Sequence, residues 1–502
     1  MWISKRILTA VTLLYIYIPV ILFLCGWTNI IVNLITLTAI GISFRQMYVF
    51  EKQNEEYQSI KIDAVVLVFA LAFFSFIGFY AGWGRWVDQS GDWLKHNAIL
   101  YDLTKREWPV YYTNGTENSM LVYYIGQYMV PAFVGKITGS TRIAEIMFFV
   151  WNELGLFLVY LNILFVVNAK KAKSQFITAF VLPLFGIPLW ISEHIFNCIT
   201  GTVRPYDYMW FYISDGILLQ YSDNFTLLRW VVPQVICCWL IVELFLENKD
   251  RVEIYVLLIL PGIFFGTLSF LGLLPIVGLY ALVSLIVSNN KAAFLKRVFS
   301  ISNIILAFTL GTIMALYFYG NVMGEKPDSI SFVVQPYGNK WNIYLTFVIV
   351  NILIYAAMLF SENKRNCVFY AVIFELTVLP LFKMGQWNDL VMRVSIPGLF
   401  LLMIFILRFV IRLSDEGENE LSIWRKISGI IVVLFIFVSM YNSMTELSES
   451  CQSYDPSRLG NGNGWETMEK FANRSLDETD DVKYNYYAYD IEDNLFYKLI
   501  AK

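Results

Sequence analysis

Apolar runs of about twenty residues recur along the whole chain, and nothing constrains its fold more. "LTAVTLLYIYIPVILFLCGW" and "AVVLVFALAFFSFIGFYAGW" are two of them. A helix of that length matches the hydrocarbon core of a bilayer. Within lipid each backbone N–H and C=O must be satisfied inside the protein, so a helix is the expected form. Spans are expected at 7–26, 28–44, 62–82, 143–167, 174–196, 226–247, 253–268, 270–288, 298–319, 341–360, 367–384, 391–411 and 424–445. The predicted fold class is therefore an all-α polytopic membrane protein with about 13 transmembrane helices. Residues 1–446 form the membrane domain and 447–502 a small polar tail. The composition agrees, with 57% hydrophobic and only 15% charged residues, against roughly a quarter charged in soluble domains. A net charge of −3 without a basic block speaks against nucleic acid as a partner. The six cysteines show no paired metal spacing. The first apolar run is too long, and too poor in small residues at its end, for a cleaved signal peptide.

Topology turns on "SMLVYYIGQYMVPAFVGKITG", residues 119–139. Were it a span, "NAKKAK", "ENKDR", "NNKAAFLKR" and "ENKRN" would all face outward. Read as a helix lying on the outer surface, it returns these clusters, Lys5, Arg6 and the 45–61 loop to the cytoplasm, as the positive-inside rule prefers. Gly126, Pro131 and Gly135 also make it a poor straight span. The N-terminus is then cytoplasmic and the C-terminus extracytoplasmic, in a multi-pass protein of the cell membrane. The outer face carries residues 83–142, 197–225, 320–340, 385–390 and the tail. No inner loop holds a nucleotide-binding glycine motif.

The loop 83–142 opens with "GWGRWVDQSGDWLKHNAILYDLTKREWPVYY" (82–112), which contains one of only two histidines in the chain. A helix from Asp92 to Asp102 places Asp92, Lys95 and His96 on one face, continued by Ile99 and Leu103. An acid at the rim of a partly apolar cavity, held ionised by a cation, is able to accept a proton. A solvated charge cluster beside a membrane has the same composition.

The order of span, acidic segment with Asp92 and His96 spaced D-x-x-x-H, amphipathic helix, "WP", second surface helix and next span resembles the GT-C glycosyltransferases. That superfamily includes protein mannosyltransferases, the lipid A aminoarabinose transferase and arabinosyltransferases. The resemblance covers the first third of the chain and lies in layout more than identity. Trp93 stands where the family's second acid is usual. It implies two juxtamembrane helices in the outer loop and transfer of a sugar from a polyprenyl-phosphate donor to a glycan, lipid or protein acceptor. It also implies a carboxylate base near the acceptor hydroxyl, with Asp92 preferred and Asp88 open, and His96 as a positioning group. Divalent metal use varies in the superfamily, so a metal cofactor stays open.

Other outer-face residues suit the donor phosphate. Arg229 opens one span and Arg204 lies in the loop before it; snorkelling to headgroups is the competing role for Arg229. His194 ends the preceding span. Asp389 and Arg393 stand at i, i+4 and can pair on one helix face, with Arg393 just inside the span. The "NDLVMRVSIP" stretch around them weakly resembles bacterial GT-C-like membrane proteins. Lys340 and Lys326 lie in a further outer loop. Two other functions fit less well. A polysaccharide polymerase or ligase would carry its large outer loop later in the chain. A transporter or flippase would need charges near the midplane, for which Glu153 and Glu375 are the candidates.

Overall fold

The computed structural model describes residues 1–53, 58–87, 89, 91–114, 117–201, 209–322, 332–385, 387–415, 422–454, 467–470, 486–488, 491 and 494–502. Helices dominate. Among the described residues, eight are long and apolar enough to cross a membrane, or up to ten if each of two bent pairs is one span. Many apolar side chains on these helices stay exposed, among them Ile7, Leu14, Ile31, Val65, Ile286 and Phe437. An apolar belt of that extent belongs against lipid. The chain is a multi-pass helical membrane protein.

Every expected span falls on a helix or a bent helix pair, though not every one is long and unbroken. The segments at 62–82, 253–268 and 367–384 become the shorter apolar helices Ala64–Tyr80, Val252–Phe265 and Cys367–Leu381. The segments at 174–196 and 226–247 are broken. Ala172–Leu184 and Leu189–Thr200 meet at 58°, and Asn224–Trp230 and Val232–Asn248 at 111°. Pro188 and Pro233 lie at the breaks, where a missing backbone N–H interrupts the helical ladder. Helix Ile396–Asp415 has 78% of its apolar window buried and runs through the centre, whereas Thr267–Val287, at 22%, lies at the periphery.

The long loop contains two helices, Trp93–Lys105 and Gly126–Thr138. The stretch 119–138 is not a single helix. Its first residues belong to strand Glu117–Leu121, which pairs with Tyr111–Asn114 in a hairpin. Tyr487–Ala488 of the tail adds a third antiparallel strand to that hairpin. Pairing with a strand so distant in sequence overrides the local helical pattern.

The loop is anchored in the bundle. Gly126–Thr138 packs along Thr141–Val166. A Cβ on Gly126 would run into Phe265 and Phe264, so only glycine allows that approach. Beside it, buried Gln127 donates to Tyr15 and to Asn152 Oδ1 (2.7 Å).

Candidate functional site

The broken span builds the floor of the site. Helix Asn224–Trp230, capped by Asp223 accepting from Thr226 N, ends after one or two turns. A helix terminus leaves its last carbonyls without intrahelical partners. Three ring N–H groups of the loop take them in succession. Trp83 Nε1 donates to Leu228 O (3.0 Å) and Trp93 Nε1 to Arg229 O (2.7 Å). His96 Nε2 lies 3.0 Å from Trp230 O. A carbonyl only accepts, so His96 carries its proton on Nε2, and Nδ1 accepts from the Tyr128 hydroxyl. Both ring nitrogens are thus engaged. Burial, with Lys95 nearby, drives the imidazole pKa down to about 3, so it stays neutral. His96 is a buried bolt between the loop helix and the broken span.

Asp92 immediately precedes the helix Trp93–Lys105, and its carboxylate pairs with Lys95 at 2.7 Å. The expected face is present, with His96, Ile99 and Leu103 all buried. Asp92 keeps 32% of its side chain exposed while Lys95 keeps 8%, so the acid is the reachable member. Burial alone would raise the Asp92 pKa; its basic neighbours, Lys95 foremost, outweigh it and hold the carboxyl below its ordinary value.

Arg393 reaches this place from helix Asp389–Val394. Its Nε sits 3.0 Å from Asp389 Oδ1, as the i, i+4 spacing predicts, and its Nη1 donates to the Tyr124 hydroxyl (2.9 Å). Tyr124 also accepts from Gln234 Nε2 (2.9 Å) and is hydrogen-bonded to Tyr123. The ring of Tyr486, from the tail, lies 4.9 Å from that of Tyr123. Two acid–cation pairs, Asp92–Lys95 and Asp389–Arg393, and several phenol hydroxyls therefore lie within electrostatic reach of one another. Anionic and hydroxylated groups are what such a set can bind.

The other expected residues that the structure describes have partners of their own or stand exposed. Arg229 pairs with Glu446 at 2.9 Å, and Trp230 Nε1 donates to the same carboxylate. That pair ties the broken span to helix Ile423–Gln452. Lys340 pairs with Asp215 at 2.6 Å. His194 is exposed on Leu189–Thr200, stacked on Trp190. Asp88, Arg204 and Lys326 lie outside the described residues. Asp102, fully buried, accepts from Tyr112 and from Met468 N, each at 2.9 Å, and pairs with Arg106. Among the described residues no three His, Cys, Asp or Glu side chains converge as metal ligands.

Gln234, Glu446 and Tyr486 escaped the sequence reading. The tail's aromatic run "YNYYAY" is the one sequence signal for Tyr486. Comparison with known proteins finds no match: no family model, no curated protein and no solved structure corresponds to this chain.

Proposed function

We propose that the protein is an integral-membrane glycosyltransferase. It moves a sugar from a polyprenyl-phosphate donor to an acceptor at the extracytoplasmic face, with Asp92 as general base. The observation that carries this reading is that Arg393, from a distant part of the sequence, comes within electrostatic reach of the Asp92–Lys95 pair. The donor's leaving group is a phosphate, which leaves as an anion and needs no strong acid. Two demands remain. A carboxylate must take the acceptor's proton, and cations must offset charge on the departing phosphate. Asp92 is ionised and partly open to solvent, which suits the first. Lys95 and Arg393 suit the second. The tyrosine hydroxyls add donors and acceptors for sugar oxygens.

The test is transfer from labelled polyprenyl-phosphate sugars in membranes carrying the wild type or Asp92→Asn. Loss of the base should lower the rate by about 10²- to 10⁴-fold. Transfer that Asp92→Asn retains in full removes Asp92 from the chemistry. Absence of transfer in the wild type, alongside solute movement, removes the enzyme reading.

One observation favours a transporter instead. Glu243 and Glu375 each have both carboxyl oxygens buried without a hydrogen-bond partner. They lie on Ile236–Asn248 and Cys367–Val378. Intramembrane ionisable groups commonly mark ion or substrate paths. Solute uptake into proteoliposomes that is abolished by Glu375→Gln would establish that reading.

A further inference from the structure

Strand Phe332–Val334 pairs antiparallel with Phe382–Met384, in the register Phe332 to Met384, Val333 to Lys383 and Val334 to Phe382. Side chains alternate across a strand, and directly paired residues share a face. One face of this ribbon therefore carries Phe332, Val334, Phe382 and Met384, all apolar, and the other carries Val333 and Lys383. The apolar face stays open, with Phe332 59% and Val334 68% exposed. Lys383 instead reaches back to the protein, its Nζ donating to Gly216 O (3.2 Å). A two-stranded ribbon is marginal by itself in water, so the open face calls for an occupant.

The position of the ribbon in the bundle names that occupant. Phe382 follows directly on helix Cys367–Leu381, whose Tyr370 and Phe374 are exposed. That helix begins just after Lys364 and Arg365, charges suited to the opposite membrane surface. It rises about 22 Å, short of a hydrocarbon core of about 30 Å. The strand that continues it adds about 10 Å. The ribbon therefore starts at the hydrocarbon boundary, not out in water. The neighbouring span Trp341–Asn363 gives the same level. Its exposed stripe of Leu353, Ile349 and Leu345 ends at Trp341, whose ring meets those of Tyr337 and Tyr344 at 5.3 and 5.7 Å. The Tyr337 hydroxyl donates to Pro380 O (2.6 Å) and that of Tyr344 to Thr377 O (3.0 Å), at the end of the first helix. Aromatic belts of this kind mark the membrane interface. The apolar face of the ribbon continues this lipid-facing surface. Backbone groups on the ribbon's outer edges need water or headgroups, which keeps it out of the core itself.

The orientation of the ribbon is fixed as well. Gln335, just past the first strand, donates from Nε2 to Leu218 O and from its backbone N to Leu381 O, each at 2.8 Å. Met384 N donates to Asn388 Oδ1 (3.2 Å), and Asn388 Nδ2 donates to the same Leu218 carbonyl (2.7 Å). Asn388 immediately precedes helix Asp389–Val394, the carrier of Arg393. Turning the apolar face inward would break these bonds.

We propose that this ribbon is a membrane anchor, its face of Phe332, Val334, Phe382 and Met384 lying in the interfacial layer of the bilayer against the upper acyl chains of phospholipids. The anchor stands beside the helix that carries Arg393, and it does not depend on the sugar-transfer reading.

The experiment uses the full-length protein in phosphatidylcholine nanodiscs, one copy per disc. Val334→Cys and Val333→Cys are introduced separately into a background in which the exposed Cys25 and Cys198 are replaced by serine. Each is labelled with a nitroxide, and the parent without the new cysteine supplies the background signal. Power-saturation electron paramagnetic resonance then compares collisions with oxygen, which concentrates in lipid, and with a water-soluble nickel chelate. At position 334 oxygen should act several-fold more strongly than the chelate, and at 333, on the lysine face, the ratio should be lower. A chelate-dominated signal at 334 places the face in water and overturns the proposal. Shielding of 334 from both reagents means that protein covers it, which also overturns the proposal, as do equal ratios at 333 and 334. Should Val334→Cys not fold, Phe332→Cys on the same face gives the same reading.

Discussion

Acidification should loosen this protein through one imidazole. His96 is 2% exposed, bonded at both ring nitrogens, and its pKa falls to about 3 in the fold. In the unfolded chain it returns to about 6.5. A group whose folded value is depressed binds more protons when unfolded, so its contribution is complete above the unfolded value and shrinks as pH falls below it. Across the window between the two values each pH unit costs about 1.4 kcal/mol. Lowering the pH from about 7 to about 5 should therefore destabilise the fold by about 2 kcal/mol through His96 alone. The perturbation is His96→Gln, whose amide offers a donor toward Trp230 O and an acceptor toward Tyr128. Denaturant midpoints in detergent at the two pH values, wild type against variant, measure the difference. The variant should be less stable than the wild type near pH 7 but lose about 2 kcal/mol less on acidification. Parallel pH dependences in the two proteins would refute the neutral-bolt account, because the second histidine, His194, is exposed and present in both.

Three more outcomes are expected. In Gly272→Ala the new Cβ would collide with the Val394 carbonyl oxygen, at the end of the helix that carries Arg393; overpacking of this kind costs about 1–3 kcal/mol, and both the thermal midpoint and sugar transfer should fall. Arg229→Ala strands the Glu446 carboxylate, which keeps only 1% exposure, and breaking such a buried pair costs about 3–5 kcal/mol. Folded yield in membranes should drop and recover in part when Glu446→Leu accompanies Arg229→Met. Because its basic neighbours, Lys95 foremost, hold Asp92 below its ordinary value, Asp92 remains ionised through mildly acidic pH. Initial transfer rates, corrected for folded fraction, should show no acid limb between about pH 5 and 7, and a limb in that window would argue against Asp92 as the base.

Local spacing made much of this protein legible. Twenty-residue apolar runs dictate helices wherever they occur, because lipid offers the backbone no other partner. The i, i+3 relation of Asp92 to Lys95 and the i, i+4 relation of Asp389 to Arg393 follow from helical geometry, and both ion pairs are present. What was not legible was long-range. A strand replaces the first turns expected from residue 119, paired on one edge with Tyr111–Asn114 and on the other with the returning tail. The span at 226–247 breaks sharply beside Pro233, and its orphaned carbonyls are taken by Trp83, Trp93 and His96 from an earlier loop. Arg229 reads from the sequence as a phosphate ligand or a headgroup contact, yet Glu446 pairs with it.

The sequence by itself therefore determined a helical membrane protein and, within each segment, which side chains share a face, since those depend on periodicity and on hydrophobic length alone. Only the tertiary structure decided that Arg393 comes within electrostatic reach of Asp92 and Lys95, and that His96 bolts the loop to the broken span. Those outcomes depend on which segments pack together. That choice is set by summed burial and by the need to satisfy every enclosed polar group, and no window of sequence contains it.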